Sequence, residues 1–392
     1  MSGTPDVAVV GGGIVGTAAA AFLADAGARV RLYERTEIAA GASGRNSGIV
    51  QHPFDPILAG LYRVTIAEYR ALAAEVDGFG LPSEPAGLLY VGRDGAIAQR
   101  TAAAWARAWP DSRPEVLAGA ALHRLEPALA DDLVACRLAI GFPVAPDAAT
   151  RAFAAVATRR GVGTVIGDAR PDVSGGQVVG VRVGGRTEPA GVVVIAAGPW
   201  APDLIDPAGG WRPIRAVWGV VAGLALAEAP GHALEAIDID IEPGLAIDST
   251  GHVIRIEPSD AAVEFSLVPA PGSSALGSTF LPAEPEPAAW LAALRRVGSR
   301  YVPAVADAPL VGLRHCARPV SADGRPLVGA IDGVAGLFVA AGHGPWGIST
   351  GPATARLVTD LILGRIGRGD VPEALDPGRF GPIQRQDSGS SR

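Results

Sequence analysis

Lysine is absent from this chain. All 33 basic residues among its 392 are arginine. That excludes lysine Schiff-base chemistry, and with it pyridoxal-phosphate catalysis, and it removes a Walker-type phosphate lysine. Cysteine is almost absent: Cys136 and Cys316 are too few for a disulfide framework or a thiolate metal site, so no metal is expected and a reducing cytoplasm is the expected home. Positive charge is in deficit, with a net charge of −7 and a pI near 5.4, which argues against nucleic acid as the partner. Long apolar runs are also missing. The longest, residues 216–227, is about half of the ~20 residues a membrane span needs. The N-terminal apolar stretch carries Asp6 and lacks the basic start of a signal peptide. No fixed-period repeat is visible.

What the chain has in quantity is glycine, and it is placed with purpose. Val7 to Val10 read as a buried strand that breaks into Gly11, Gly12, Gly13, Ile14, Val15 and Gly16. This is G-x-G-x-x-G. An alanine-rich helix over residues 17–26 follows, Gly27 stops it, and a second strand from Arg29 to Tyr33 ends on Glu34. In that order Gly11 permits the tight turn, Gly13 lets backbone approach a pyrophosphate, and Gly16 lets helix and sheet pack closely. The helix N-terminus offers N–H groups to phosphates. Glu34 stands where a carboxylate bonds a ribose hydroxyl and disfavours a ribose 2′-phosphate, with Arg35 beside it working the other way. NAD and FAD fit this stretch equally.

Further along, residues 39–48 form a small-residue loop that presents Asn46, Ser47 and the backbone of Gly48 to a ligand. An amphipathic helix spans about 56–76, a strand lies within 80–95, and helices cover about 96–108, 119–124 and 147–160. The G-x-G at 161–163 follows a helix and precedes a strand, the reverse of the dinucleotide order. Strands over 178–183 and 191–195 follow, the second ending in AAGPWAP, which exposes backbone at the carboxyl edge of a parallel sheet. Residues 212–305 alternate in the manner of an antiparallel sheet inserted into the first domain, with His252 and Arg255 either pocket groups or a solvated strand face. A helix over 287–297 closes it. The densest signal comes last: RHCARPVSADGRPLVG over 314–329, a strand GLFVAA, then GHGPWGISTGP and a helix. GHGPWG repeats G-x-G-x-x-G, yet no strand ending in an acid follows, so its glycines and helix N-terminus suit a flat electron-accepting ring. Residues 383–392 are expected to be disordered.

Four of these motifs, VAVVGGGIVG with YER, GASGRNSG, VVVIAAGPWAPDL, and RPVSADGRPLVG followed by GLFVAAGHGPWGISTGPATARLV, resemble in order the D-amino-acid oxidase family of FAD-dependent oxidoreductases. That group includes glycine oxidase, sarcosine oxidase and D-amino-acid dehydrogenases, and the likeness covers nearly the whole chain. The resemblance implies FAD as cofactor. It implies that Gly11, Gly13, Ile14 and Val15 hold the pyrophosphate, that Glu34 and Arg35 flank the ribose, and that backbone near Arg170 meets the adenine. Gly198 and Trp200 would touch the middle of the cofactor. Ser43, Arg45, Asn46, Ser47 and Gly48 would line the flavin, and Gly342, His343, Gly344, Gly347, Ile348 and Ser349 would surround its ring. Arg318 aligns with the arginine that binds the substrate carboxylate in glycine-oxidase-like members, a task suited to a planar, two-point guanidinium. Cys316 stands at the spacing of the covalent flavin cysteine of sarcosine-oxidase-like members, with a buried inert thiol as the competing reading. Those members carry a lysine where Trp346 stands and another near the flavin that promotes reaction with oxygen. GRNSGIVQH is also similar to the loop of L-2-hydroxyglutarate dehydrogenases, in which His52 would be a base toward a hydroxyl; a loop histidine bonded to backbone is the alternative.

The expected fold is therefore α/β, a Rossmann-type FAD-binding domain with an inserted antiparallel-sheet substrate domain of α+β type. Residues 1–81, 146–211 and 306–382 are assigned to the first and 82–145 and 212–305 to the second. The expected activity is oxidation of the C–N bond of a small amino acid or N-substituted amino acid, by hydride transfer to flavin N5. The substrate is a small-molecule carboxylate, and O2 or a quinone or carrier protein takes the electrons. An FAD-dependent 2-hydroxy-acid dehydrogenase and a non-catalytic flavin-binding subunit are the alternatives.

Overall fold

Val7 to Val10 carry no polar side chain, so a strand built from them is stable only with both faces covered. In the computed structural model, which describes residues 6–237 and 257–383, that strand (Asp6–Val10) lies inside a six-stranded sheet. The strand order is Leu327–Ala330, Leu337–Ala341, Val192–Ile195, Asp6–Val10, Arg29–Glu34, Gly163–Ile166. All neighbours are parallel except the first pair. The two-residue period of a strand divides the core accordingly. Val7 and Val9 join a cluster on the helical face, whereas Ala8 and Val10 join one on the other face.

The helical face is packed closely because its first helix, Ile14–Asp25, is mostly alanine. Ala18, Ala19, Ala20 and Ala21 are fully buried, and a helix apolar all round is a core helix. Helices Pro56–Glu75, Ala148–Arg159 and Gly347–Ile362 complete the layer. The opposite face is covered by an antiparallel meander, Ala169–Ser174, Gln177–Val183 and Arg186–Pro189.

The second sheet has eight strands in the order Leu310–Ser321, Ile214–Leu224, Ser274–Thr279, Val263–Val268, Ala233–Ala236, Leu88–Gly92, Val134–Leu138, Glu115–Ala118. It departs from the expected antiparallel insertion in two ways. One pair, Ala233–Ala236 with Leu88–Gly92, is parallel. The strand Leu310–Ser321, beyond the boundary expected at 306, belongs to this sheet and pairs with Ile214–Leu224 along its whole length. Its two arginines, its histidine and its proline hide it from a strand pattern; Pro319 is tolerated because the strand is an edge. Helix Pro287–Gly298 packs on the face away from the first sheet. His252, Arg255 and residues 384–392 lie outside the described residues. No helix among the described residues is long and apolar enough to cross a membrane.

The last helix starts at Gly347, earlier than alanine content indicates, although Pro352 lies inside it. Proline leaves the carbonyl four residues back without its helical donor. That carbonyl, Ile348 O, accepts instead from the buried Tyr69 hydroxyl at 2.6 Å.

Packing of the first helix on the glycine turn yields a test. A Cβ at Gly16 would overlap Gly11 O, whereas one at Gly60, inside helix Pro56–Glu75, meets nothing within 4 Å. Gly16→Ala is expected to cost about 1–3 kcal/mol in urea unfolding. Gly60→Ala is expected to leave stability unchanged or raise it by up to about 1 kcal/mol. Equal effects of the two would contradict the packing described.

Candidate active site

Three adjacent parallel strands, Asp6–Val10, Val192–Ile195 and Leu337–Ala341, end at the same edge of the six-stranded sheet. Their small-residue turns, Gly11–Gly13, Ala196–Trp200 and Gly342–Gly347, therefore lie side by side, where ligands sit in such sheets. They open into a cleft of about 1120 Å³ that continues across the eight-stranded sheet to Arg318. Gly11 has φ +120°, and a Cβ there would overlap Ala196 O.

At one end of the cleft Glu34 closes over the turn. Its Oε2 accepts from Gly12 N at 2.7 Å and its Oε1 from Thr36 N at 3.0 Å. Ser43 Oγ accepts from Ile14 N at 3.0 Å, tying the 39–48 loop to the helix N-terminus. Arg35 stacks over the ring of Trp200 at 4.7 Å, and Arg170 pairs with Asp168 at 3.2 Å near the surface. Gly11, Gly13, Ile14, Val15, Glu34, Arg35, Ser43, Arg45, Ser47, Arg170, Gly198 and Trp200 all line this wall.

Asn46 also lines it, but its amide is already engaged. Nδ2 faces Ala42 O, Ser43 O and Pro146 O at 2.9–3.2 Å, and Oδ1 accepts from Gly48 N at 2.8 Å. Asn46 shapes the loop. Gly48 is not on the wall; its φ of +85° turns it toward Val144 O, which a Cβ would meet at 2.6 Å. Gly342 likewise lies behind the wall, against Leu327 and Ile214, while His343, Gly344, Gly347, Ile348 and Ser349 are on it. Ser349 Oγ accepts from Gln51 N at 2.9 Å.

His52 is a correction to the sequence reading. It does not reach the cleft. It is buried in a box of Tyr62, Trp105 and Trp109 rings, with Nδ1 2.7 Å from Pro53 O. Burial pushes its pKa down. A neutral imidazole bonded to backbone and walled by aromatics is a core residue.

Arg318 stands at the other end. Its Nη1 donates to Thr279 O at 2.7 Å, its Nη2 to Ser278 Oγ at 3.2 Å, and the guanidinium lies 4.2 Å over the ring of Phe280. Across the strand pair Gly219 makes room for it, since a Cβ there would sit 2.5 Å from the guanidinium. Cys316, two residues earlier on the same face, is 8% exposed, and burial pushes its thiol pKa up.

Polar residues on this wall that escaped the sequence reading include Gln51, Tyr90, Glu235 and Glu264. Glu235 pairs in register with Tyr90 on one side and Ser266 on the other. Its Oε2 accepts from Gln51 Nε2 at 3.2 Å. Burial, with the charge of Glu264 adding to it, raises the Glu235 pKa to about 7. Glu264, two residues from Ser266 on the same face, makes no hydrogen bond or ion pair among the described residues; burial raises its pKa and the charge of Arg318 opposes that. One charge in the inward period of VEFSLV could have revealed Glu264. ALEA is too short and too helix-like to have revealed Glu235.

With this geometry in view, the chain was compared with known proteins. The profile of the family described as FAD dependent oxidoreductase (DAO) matches residues 6–361. Glycine oxidase of Pseudomonas aeruginosa is 27% identical over 404 residues, spanning 97% of this chain and 99% of that protein. Among solved structures, glycine oxidase from Bacillus cereus is similar with a TM-score of 0.78 at 22% identity, covering 98% of this chain and 99% of the other. Iminodiacetate oxidase from Chelativorans sp. is similar with a TM-score of 0.79 at 22% identity, covering 95% and 98%.

His343 gives this site a pH signature. It is buried against the last helix, its Nε2 3.0 Å from Thr354 Oγ1, and burial lowers its pKa to about 4. An unfolded imidazole titrates near 6.5, so between 6.5 and 4 the unfolded chain binds a proton that the folded one refuses. The contribution is complete above pH 6.5 and lost as pH falls toward 4. Urea unfolding at pH 7 and pH 5 is expected to show wild type losing about 2 kcal/mol more than His343→Gln; identical losses would contradict a neutral buried imidazole.

Proposed function

We propose, on the premise that this chain belongs to the DAO family of FAD-dependent oxidoreductases, that it oxidises the C–N bond of an amino acid or N-substituted amino acid. The residues present fit the cofactor. Gly11 and Gly13 leave backbone bare where a pyrophosphate approaches, and a helix N-terminus lies behind them. A side chain at Gly13 would crowd this place, since its Cβ would come within 3.0 Å of Ser43 Oγ. Gly11, Gly13, Ile14 and Val15 would hold the pyrophosphate, Glu34 and Arg35 the ribose, and Trp200, Gly198 and the backbone at Arg170 the rest of the nucleotide. Ser43, Arg45, Ser47 and the 343–349 segment would enclose the ring, with Asn46, Gly48 and Gly342 shaping the backbone behind it. Bound FAD would supply the electron sink for the hydride lost from the carbon that bears the nitrogen. In this division of labour residues 1–81, 146–211 and 306–382 carry the cofactor and 82–145 and 212–305 the substrate, with strand Leu310–Ser321 shared.

The observation that carries the reading is the rigid guanidinium of Arg318 at the far end of the cleft with the carboxyl of Glu264, unpartnered among the described residues, close enough to feel its charge. A carboxylate substrate docks on the first by two-point contact. A positively charged nitrogen is matched by the second, and a neutral hydroxyl is not. The relatives named glycine oxidase and iminodiacetate oxidase support the same substrate class. For a 2-hydroxy acid the base read from the sequence is His52, and it is walled off from the cleft.

Two measurements test this reading. Anaerobic titration of the flavin-loaded protein with amino acids and hydroxy acids is expected to bleach flavin absorbance with amino acids. Arg318→Gln should weaken their binding on the order of 10²-fold. Bleaching by hydroxy acids alone, or an unchanged Kd in Arg318→Gln, would overturn it. The second concerns Cys316, whose thiol is held protonated by burial and so is a poor nucleophile. Acid precipitation is expected to give a colourless pellet and yellow supernatant; a yellow pellet would mean a covalent bond.

A further inference from the structure

Resting on that reading, one charge in the cleft is left over. A zwitterionic amino acid matches Arg318 with its carboxylate and Glu264 with its ammonium. Glu235 has no counterpart. It lies one strand beyond Glu264, a spacing of about 5 Å across the sheet, and two residues further along it, since its register partner is Ser266. Its carboxyl is fixed by Gln51 Nε2 and flanked by Tyr90, both on the cleft wall. No cation forms an ion pair with it among the described residues. Its half-buried carboxyl is met by neutral donors alone, so the cleft rewards a ligand that brings a second positive charge to this place. It penalises one that brings a negative charge there.

We propose that Glu235 determines specificity, and that the preferred substrates are amino acids whose side chain or N-substituent ends in an ammonium or guanidinium group. Arg318 then fixes one end of the ligand and Glu235 the other, with the C–N bond to be oxidised between them. Neutral substrates of the same length lose the far contact. Dicarboxylic substrates meet repulsion in its place.

The test uses flavin-loaded, full-length protein and pairs of ligands equal in shape but different in charge. In anaerobic titrations arginine and citrulline, and ornithine and norleucine, are compared in both enantiomers, with glutamate as the acidic member. The basic member of each pair is expected to bind at least ~10-fold more tightly, a difference of about 1.4 kcal/mol. Glutamate is expected to be the weakest ligand. Glu235→Gln should bring the basic-to-neutral ratio to about 1, whereas Glu235→Asp, which keeps the charge, should retain part of the preference. Binding without turnover is read separately: 5-guanidinopentanoate against 5-ureidopentanoate, by calorimetry or by perturbation of the flavin spectrum. If no amino acid of any charge reduces the flavin, the proposed oxidation fails, while the guanidino-to-ureido ratio still tests Glu235. Equal binding of basic and neutral partners by wild type, or a preference that survives in Glu235→Gln, overturns the proposal.

Discussion

The site depends on one strand pair. Ile214–Leu224 and Leu310–Ser321 run antiparallel from Ile214 opposite Ser321 to Leu224 opposite Leu310. Near its end the second strand also bridges to the loop after Leu337–Ala341, through Val320 and His343. The same stretch of backbone thus belongs to the eight-stranded sheet and touches a turn at the edge of the six-stranded one. Arg318 lies two residues from that bridge. Its distance from the glycine turn is set by hydrogen-bonded backbone, and its direction by Thr279 O, Ser278 and the space left by Gly219. A group that must orient a substrate within a fraction of an ångström is best carried by such an element.

That placement creates an electrostatic problem. A guanidinium out of water is expensive unless it is bonded, and Arg318 offers five donors of which two are satisfied by neutral oxygens. Charge in the cleft offsets part of this, from Glu264, while Glu235 on the adjacent strand carries a second carboxyl further along. Neither carboxyl has a cation within ion-pair distance among the described residues, so both resist ionisation, and their pKa values move up. The three groups form an arrangement whose desolvation is relieved by a ligand of complementary charge. Burial, which elsewhere in the molecule stabilises the fold, here stores affinity.

Much of this architecture was legible in the residues. The first strand, glycine turn, helix and Glu34 follow from apolar run, glycine spacing and terminal acid, because local sterics dictate each. The eight-stranded sheet was only partly legible. Ser274–Thr279, spelled SALGST, is fully buried yet has little β-branched character, and its position is decided by neighbours on both sides instead of by its own propensity. His52 illustrates the opposite error. A motif placed it beside the flavin loop, but the aromatic rings that enclose it come from Tyr62, Trp105 and Trp109, up to 57 residues away, and no local pattern announces such a box. Glu235 was missed for the same reason, since its neighbours Gln51 and Tyr90 come from distant segments, whereas Glu264 stood as a single charge in a strand pattern.

The absence of lysine acquires a structural meaning from this arrangement. An ammonium at the place of Arg318 would be moved toward losing its proton, because desolvation lowers a lysine pKa. A guanidinium starts from a pKa above 12 and keeps its charge after burial lowers it. The anchor is therefore permanently positive, and the titrating partners are Glu235 and Glu264. A bound cation lowers their pKa values, since the charged carboxylate is the form that pairs with it. Binding of a zwitterion or dication to this cleft is thereby coupled to release of protons from these carboxyls, whose contribution to affinity rises with pH through the range around 7 in which Glu235 ionises.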